Sequence, residues 1–167
     1  MSGTRLPRLL FFVILIAASA DGLRRFSHLP DQMASHFDSL GNRNGWMTRP
    51  QFFAMYLVFI ALAAALGLLP PIFIAIASPS VINLPNKEYW LAPERRADTL
   101  AFFAKQFSWF GCVFLLLEVS VMQLVIEGDS LPAPRLSTGP FLSLVFAFVI
   151  FTFVWIMVML RRFYNPY

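Results

Sequence analysis

The chain has 167 residues, 58% of them hydrophobic and only 13% charged, with a mean hydropathy of +0.66, which is too apolar for a soluble domain of this size and indicates the membrane class. Its formal charge of +4 comes from thirteen Lys and Arg spread over every loop and both ends. That spread reads as membrane orientation and excludes the basic stripe of a nucleic-acid binder.

Arg5 and Arg8 form a short basic leader before the unbroken apolar run Leu9 to Ala18. Ala18-Ser19-Ala20 would also serve as the small-residue site of a cleavable signal peptide. We read the segment as an uncleaved first span over residues 6–23, about 18 residues and near the lower limit for crossing a hydrocarbon core of about 30 Å.

From Asp21 to Arg49 the chain turns polar and holds both histidines and three of the nine acidic residues. Residues 24–51 are expected to form an outer loop. Within it Met33, Phe37 and Leu40 fall at helical spacing, and Gly41 could end a short surface helix in the left-handed conformation. The alternation of Met33, Ser35 and Phe37 with Ala34 and His36 equally permits an extended segment. Asn42 to Gly45 has turn composition, and Trp46 is placed to anchor at headgroup level. Phe37 and Trp46 are expected to pin the loop to the ends of the spans. Thr48 and Gln51, with Pro50 between them, fit a capping box opening the next helix.

Leu29-Pro30, His36-Phe37, Gly41 and Gly45-Trp46 together resemble a bacterial membrane domain of unknown function that stands at the N-terminus of SdpI-like immunity and signalling proteins. The sequence departs from that pattern at Ala34, where proline is common, and at Asn44, where an acidic residue often precedes Gly-Trp. The resemblance implies an interaction loop built on Pro30, His36, Phe37, Gly41, Gly45 and Trp46. The stretch INLPNKEYWLAPERRADTL extends it to about Leu100, and it carries on weakly through the third span.

The second span is expected over residues 52–77, with Ala61, Ala65 and the Ala63/Gly67 pair offering small-residue faces for close helix approach. Pro70-Pro71 should kink this helix rather than end it. Residues 78–106 form a polar inner loop with Tyr89 and Trp90 as interfacial rings, and a helix opening at Pro93-Glu94 could run on into the membrane. The third span, 107–126, sets Ser108, Gly111, Leu115, Glu118 and Met122 on one face. Glu118 is the only carboxylate inside a span, so it should face the bundle or a neighbouring chain. It reads either as a proton- or ligand-responsive group or as a neutral acid that is hydrogen-bonded or hydrated. Cys112, the single cysteine, reads as a lone buried thiol.

The fourth span, 141–160, is a full-length, twenty-residue apolar helix stopped by Arg161-Arg162. Four spans put both termini on one side, with eight Lys and Arg there against five on the other, which points to cytoplasmic termini and an outer His-bearing loop. His28, Asp31, His36 and Asp38 are ordinary ligand types, but their spacing fits no closed metal site, and none is expected. No nucleophile elbow, zinc-protease motif, P-loop or dinucleotide fingerprint occurs. The expectation is an all-α, four-helix, multi-pass protein of a bacterial inner membrane, non-enzymatic and without cofactor. Its surroundings would be the lipid bilayer and a membrane protein partner or a second copy of itself. Immunity or envelope signalling, an accessory subunit role and a small transporter using Glu118 are the readings carried forward.

Overall fold

The computed structural model describes residues 4–164. Four long helices dominate it: α1 (Arg5–Phe26), α2 (Arg49–Ile76), α4 (Pro93–Asp129) and α5 (Thr138–Tyr164), with a four-residue helix α3 (Lys87–Trp90) between α2 and α4. Each long helix is long and apolar enough to cross a membrane. Besides a 3-10 turn at Pro79–Val81, the other regular structure among the described residues is a two-stranded antiparallel hairpin, β1 (Gln32–Phe37) and β2 (Arg43–Thr48), between α1 and α2. Of the two conformations open to the loop, the extended one is therefore adopted.

α1 spans about 33 Å at 1.5 Å per residue, just enough for a bilayer core of about 30 Å. Pro7 is tolerated because it lies in the first turn, where backbone donors lack partners in any case. Arg24 and Arg25 close the helix, favourably placed at the negative end of its dipole and paired to Asp21. α2 opens with the expected capping box: Thr48 Oγ1 accepts from the Gln51 N–H and the Gln51 side chain accepts from the Thr48 N–H. It continues through Pro70 and Pro71 to Ile76. Arg96 donates to the Ile74 and Ala75 carbonyls at its end, satisfying acceptors that no helical N–H can reach.

The core sits where α1, α2 and α4 meet, with α5 packed along α4. Phe11 is fully buried there, and two glycines make its slot. A Cβ on Gly67 would approach its ring to 2.6 Å and one on Gly111 to 2.5 Å. On α2 the Ala63/Gly67 face is the buried one, while Ala61 is exposed and Ala65 half-buried. On α4 the face carrying Ser108, Gly111, Leu115, Glu118 and Met122 is buried as its spacing predicts.

α4 is about 55 Å long, so its first turns extend past the core at the end away from the hairpin. There Trp90, expected as an interfacial ring, is buried instead. Its indole N–H donates to the Phe163 carbonyl at 3.0 Å, and Phe163 stacks on Phe103 with ring centroids 4.9 Å apart. The reason is the length of α5, which carries Phe163 beyond the apolar run and gives the indole a partner.

Candidate functional site

The hairpin is fixed to the helices at both its ends. At its base Leu29 is buried, the Arg49 N–H donates to the Asp31 carbonyl at 2.9 Å, and the two side chains form an ion pair at 3.0 Å. At its tip the turn is Asp38 to Asn42, not the Asn42 to Gly45 that composition suggests. Asp38 Oδ1 accepts from the Leu40 and Asn42 N–H groups at 2.9 and 2.8 Å, and Oδ2 accepts from the Asn42 amide at 3.1 Å. This side chain organises the turn locally. The Asn42 side-chain amide, followed by the Asn42 N–H and then those of Leu40 and Gly41, holds the Asp38 carboxyl below its usual range. Gly41 has φ +85°, so it supplies a left-handed residue to a hairpin turn and not to a helix end.

Long-range bonds hold that tip against the α4–α5 connection. Leu136 N–H donates to the Gly41 carbonyl at 2.8 Å, and Arg135 Nε donates to the Leu40 carbonyl at 3.1 Å. A Cβ on Gly41 would lie 2.4 Å from the Leu136 carbonyl oxygen, so only glycine fits on grounds of space as well as backbone. Arg43 reaches back from β2 to Asp129 at 2.8 Å, and the Asp129 side chain is only 1% exposed. That pair keeps Arg43 extended and so draws the residues after Asn42 into the strand. Asp129 and Leu136 are not among the residues the sequence pattern singles out. The available signal was Asp129 itself, since an acid at a helix C-terminus opposes the dipole and calls for a cation.

Beneath the hairpin lies a groove of about 390 Å³, within the size range of ligand sites. Its roof is residues 34–39, including His36 and Phe37; its walls are Phe52, Met55 and Phe59 of α2 and Phe141 and Leu142 of α5; Val121, Met122 and Val125 of α4 form the floor. Of the six residues expected to build the interaction loop, His36 and Phe37 reach this groove, while Gly41 and Gly45 shape the hairpin above it. Gly45 pairs with His36, and a Cβ there would meet Ser35 Oγ at 2.6 Å. Pro30 is exposed at the base. Trp46 does not pack on the helix ends: it is 57% exposed, its ring 5.5 Å from the Arg43 guanidinium carbon, the placement of an interfacial anchor.

Among the described residues His28, Asp31, His36 and Asp38 do not gather as metal ligands. Asp31 is taken by Arg49 and Asp38 by its own turn. Glu118 faces the bundle, 7% exposed, and neither carboxylate oxygen has a hydrogen-bond partner.

Residues 10–60 match the family described as a domain of unknown function, DUF1648, the domain that stands at the N-terminus of SdpI-like proteins. The match takes in most of α1, the hairpin and the first turns of α2, under a third of the chain. The resemblance over 61–100 lies outside it. No curated protein and no solved structure matches the chain.

Proposed function

We propose that this polytopic membrane protein acts without catalysis, by binding an amphipathic polypeptide at the hairpin end, in an immunity or envelope-signalling role of the SdpI-like kind. The observation that carries this reading is the roofed groove. Its helix-borne lining from α2, α4 and α5 is apolar apart from Thr138, while Ser35, His36, Asp38 and Ser39 of the hairpin give it a polar side. An amphipathic helix lying in the interface presents that same division of surfaces. The partner is a membrane-active peptide or the membrane segment of another protein.

In this reading the hairpin faces the outside of a bacterial inner membrane and both chain ends face the cytoplasm. The basic residues support it. At the hairpin end Arg24 and Arg25 pair with Asp21, Arg43 with Asp129 and Arg49 with Asp31. At the far end Arg95 and Arg162 lie over aromatic rings and no carboxylate pairs with them among the described residues. The bias that sets orientation counts Lys and Arg whether paired or not, and eight stand at the far end against five at the hairpin end.

A second reading, accessory subunit of a larger complex, draws support from α5, whose membrane-spanning window buries no residue. Photo-crosslinking separates the two. A benzoyl-phenylalanine at Phe141, in the groove, should capture a polypeptide, and the adduct should disappear when Met55→Trp fills the groove. The same probe at Phe146, which is 69% exposed on α5, should capture only lipid. Polypeptide adducts at Phe146 and not at Phe141 would reject the groove and favour the subunit reading.

A further inference from the structure

We propose that Glu118 is a proton-binding site, a carboxylic acid that holds its proton inside the helix bundle and exchanges it with the hairpin end of the protein. The inference is independent of the groove. Glu118 is 7% exposed and both its oxygens are buried without a hydrogen-bond partner. An ionised carboxylate so placed has lost its hydration and gained nothing in exchange, whereas the neutral acid carries only a modest dipole. A metal cation would require several more oxygen ligands. No three His, Cys, Asp or Glu side chains gather anywhere among the described residues. The proton is the one cation that needs no such cage.

The surrounding groups leave no positive charge to hold Glu118 ionised. From α2 the titratable neighbour is Tyr56, close enough for electrostatic interaction, and its hydroxyl donates to the Ala18 carbonyl at 2.6 Å. From α1, Arg24 and Arg25 are engaged by Asp21, and Arg8 reaches the bundle near Ser108, about 15 Å lower along α4. On α4 itself Cys112 lies below, and above it Glu127 accepts from the Gln123 amide. α5 has no titratable side chain between Thr138 and Leu160.

A route for the proton starts one turn above. Met122, on the same face as Glu118, borders a cleft of about 30 Å³ between α1, α2 and α4, lined on its polar side by Asp21, Arg25, Tyr56 and Gln123. A water needs about 10–15 Å³ of such space, so the cleft has room for about two. It leads to the hairpin end, and Met122 and Phe52 divide it from the groove.

The test is reaction of the intact protein with dicyclohexylcarbodiimide, an apolar reagent across whose C=N bond the O–H of a protonated carboxyl adds to give an O-acylisourea. Acyl migration then leaves a stable N-acylurea with nothing expelled, read by mass spectrometry. We expect one adduct on Glu118, formed more slowly as pH rises and absent in Glu118→Gln. In vesicles of fixed orientation its rate should follow the pH on the hairpin side. Infrared spectra should show a carboxylic-acid C=O stretch that Glu118→Gln removes. Glu118→Met, of similar size and without polar atoms, should melt at or above the wild type, because no hydrogen bond is lost. A folded protein that forms no adduct at Glu118 and lacks that infrared band would overturn the site. A rate governed by the far-side pH would overturn the exchange route, and a Met variant that fails to fold where the Gln variant folds would make Glu118 a structural donor instead.

Discussion

At the hairpin tip single residues decide the geometry. Gly41 meets two constraints at once, a left-handed backbone and a Leu136 carbonyl where a Cβ would sit. Gly41→Ala should therefore cost about 1–3 kcal/mol, the scale of a strained backbone position, and should loosen the tip in hydrogen exchange before it affects the helices. The Arg43–Asp129 pair joins β2 to the end of α4 with its carboxylate buried and its guanidinium 24% exposed. Removing one partner of a wholly buried pair costs about 3–5 kcal/mol; with Arg43 partly solvated, Arg43→Ala should cost about 2 kcal/mol. Pairing Arg43→Met with Asp129→Leu should recover much of that loss in a detergent melting assay, since neither charge is then stranded. Asp38 makes the same tip sensitive to acid. Its folded carboxyl is held below the usual range, so its contribution is fully present above the unfolded value of about 4 and is lost as pH falls through the lower, folded value. Amide protection at Leu40 and Asn42, corrected for intrinsic exchange, should fall across that acid range in the wild type and be low and flat in Asp38→Asn.

The bundle's elements depend on how closely backbones can approach. Phe11 fills a slot that exists because positions 67 and 111 have no side chain, and a Cβ at Gly111 would also come within 3.2 Å of the Gly67 Cα. Gly111→Ala gains helix propensity of about 1 kcal/mol but overpacks a fully buried ring, which costs about 1–3 kcal/mol. The net effect should be a lower melting temperature, and adding Phe11→Leu should reverse it; a stabilised single mutant would show that α1 can slide to make room. The apolar runs that become α1, α2, α4 and α5 are visible in sequence because a bilayer demands long unbroken hydrophobic segments. The buried face of α4 is visible for the same reason, since a carboxylate and small residues at spacings of three and four had to face inward. The hairpin is not, because Met33, Phe37 and Leu40 fit helical spacing while Met33, Ser35 and Phe37, alternating with Ala34 and His36, fit an extended strand. What settles its conformation is remote: the bonds from Leu136 and Asp129 join residues about ninety positions apart, and no local window contains them. Trp90 was misread on similar grounds, its partner Phe163 being seventy-three residues away.

At the scale of the whole molecule the question is which face of the membrane the hairpin and groove serve. Four helices crossing in succession place the hairpin and the α4–α5 connection at one end and the α2–α4 connection at the other, as the Gly41–Leu136 and Trp90–Phe163 bonds require. The proposed orientation, with the α2–α4 end in the cytoplasm, rests on eight Lys and Arg at that end against five at the hairpin end. Ser39, Ser137 and Ser78 are all exposed, outside the helices and at opposite ends, so each can report its side as a single cysteine. The native thiol offers little background, because Cys112 is buried at 2% exposure with its Sγ 3.8 Å from the Pro7 carbonyl; Cys112→Ser removes it altogether. In intact cells an impermeant maleimide should label cysteines at positions 39 and 137 and spare one at 78 until the membrane is opened. Labelling at 78 alone would invert the protein, turn the groove toward the cytoplasm and remove an extracellular peptide from consideration as its occupant. Equal labelling at both ends would mean a mixed population, as expected if eight against five is too small a bias to fix one orientation.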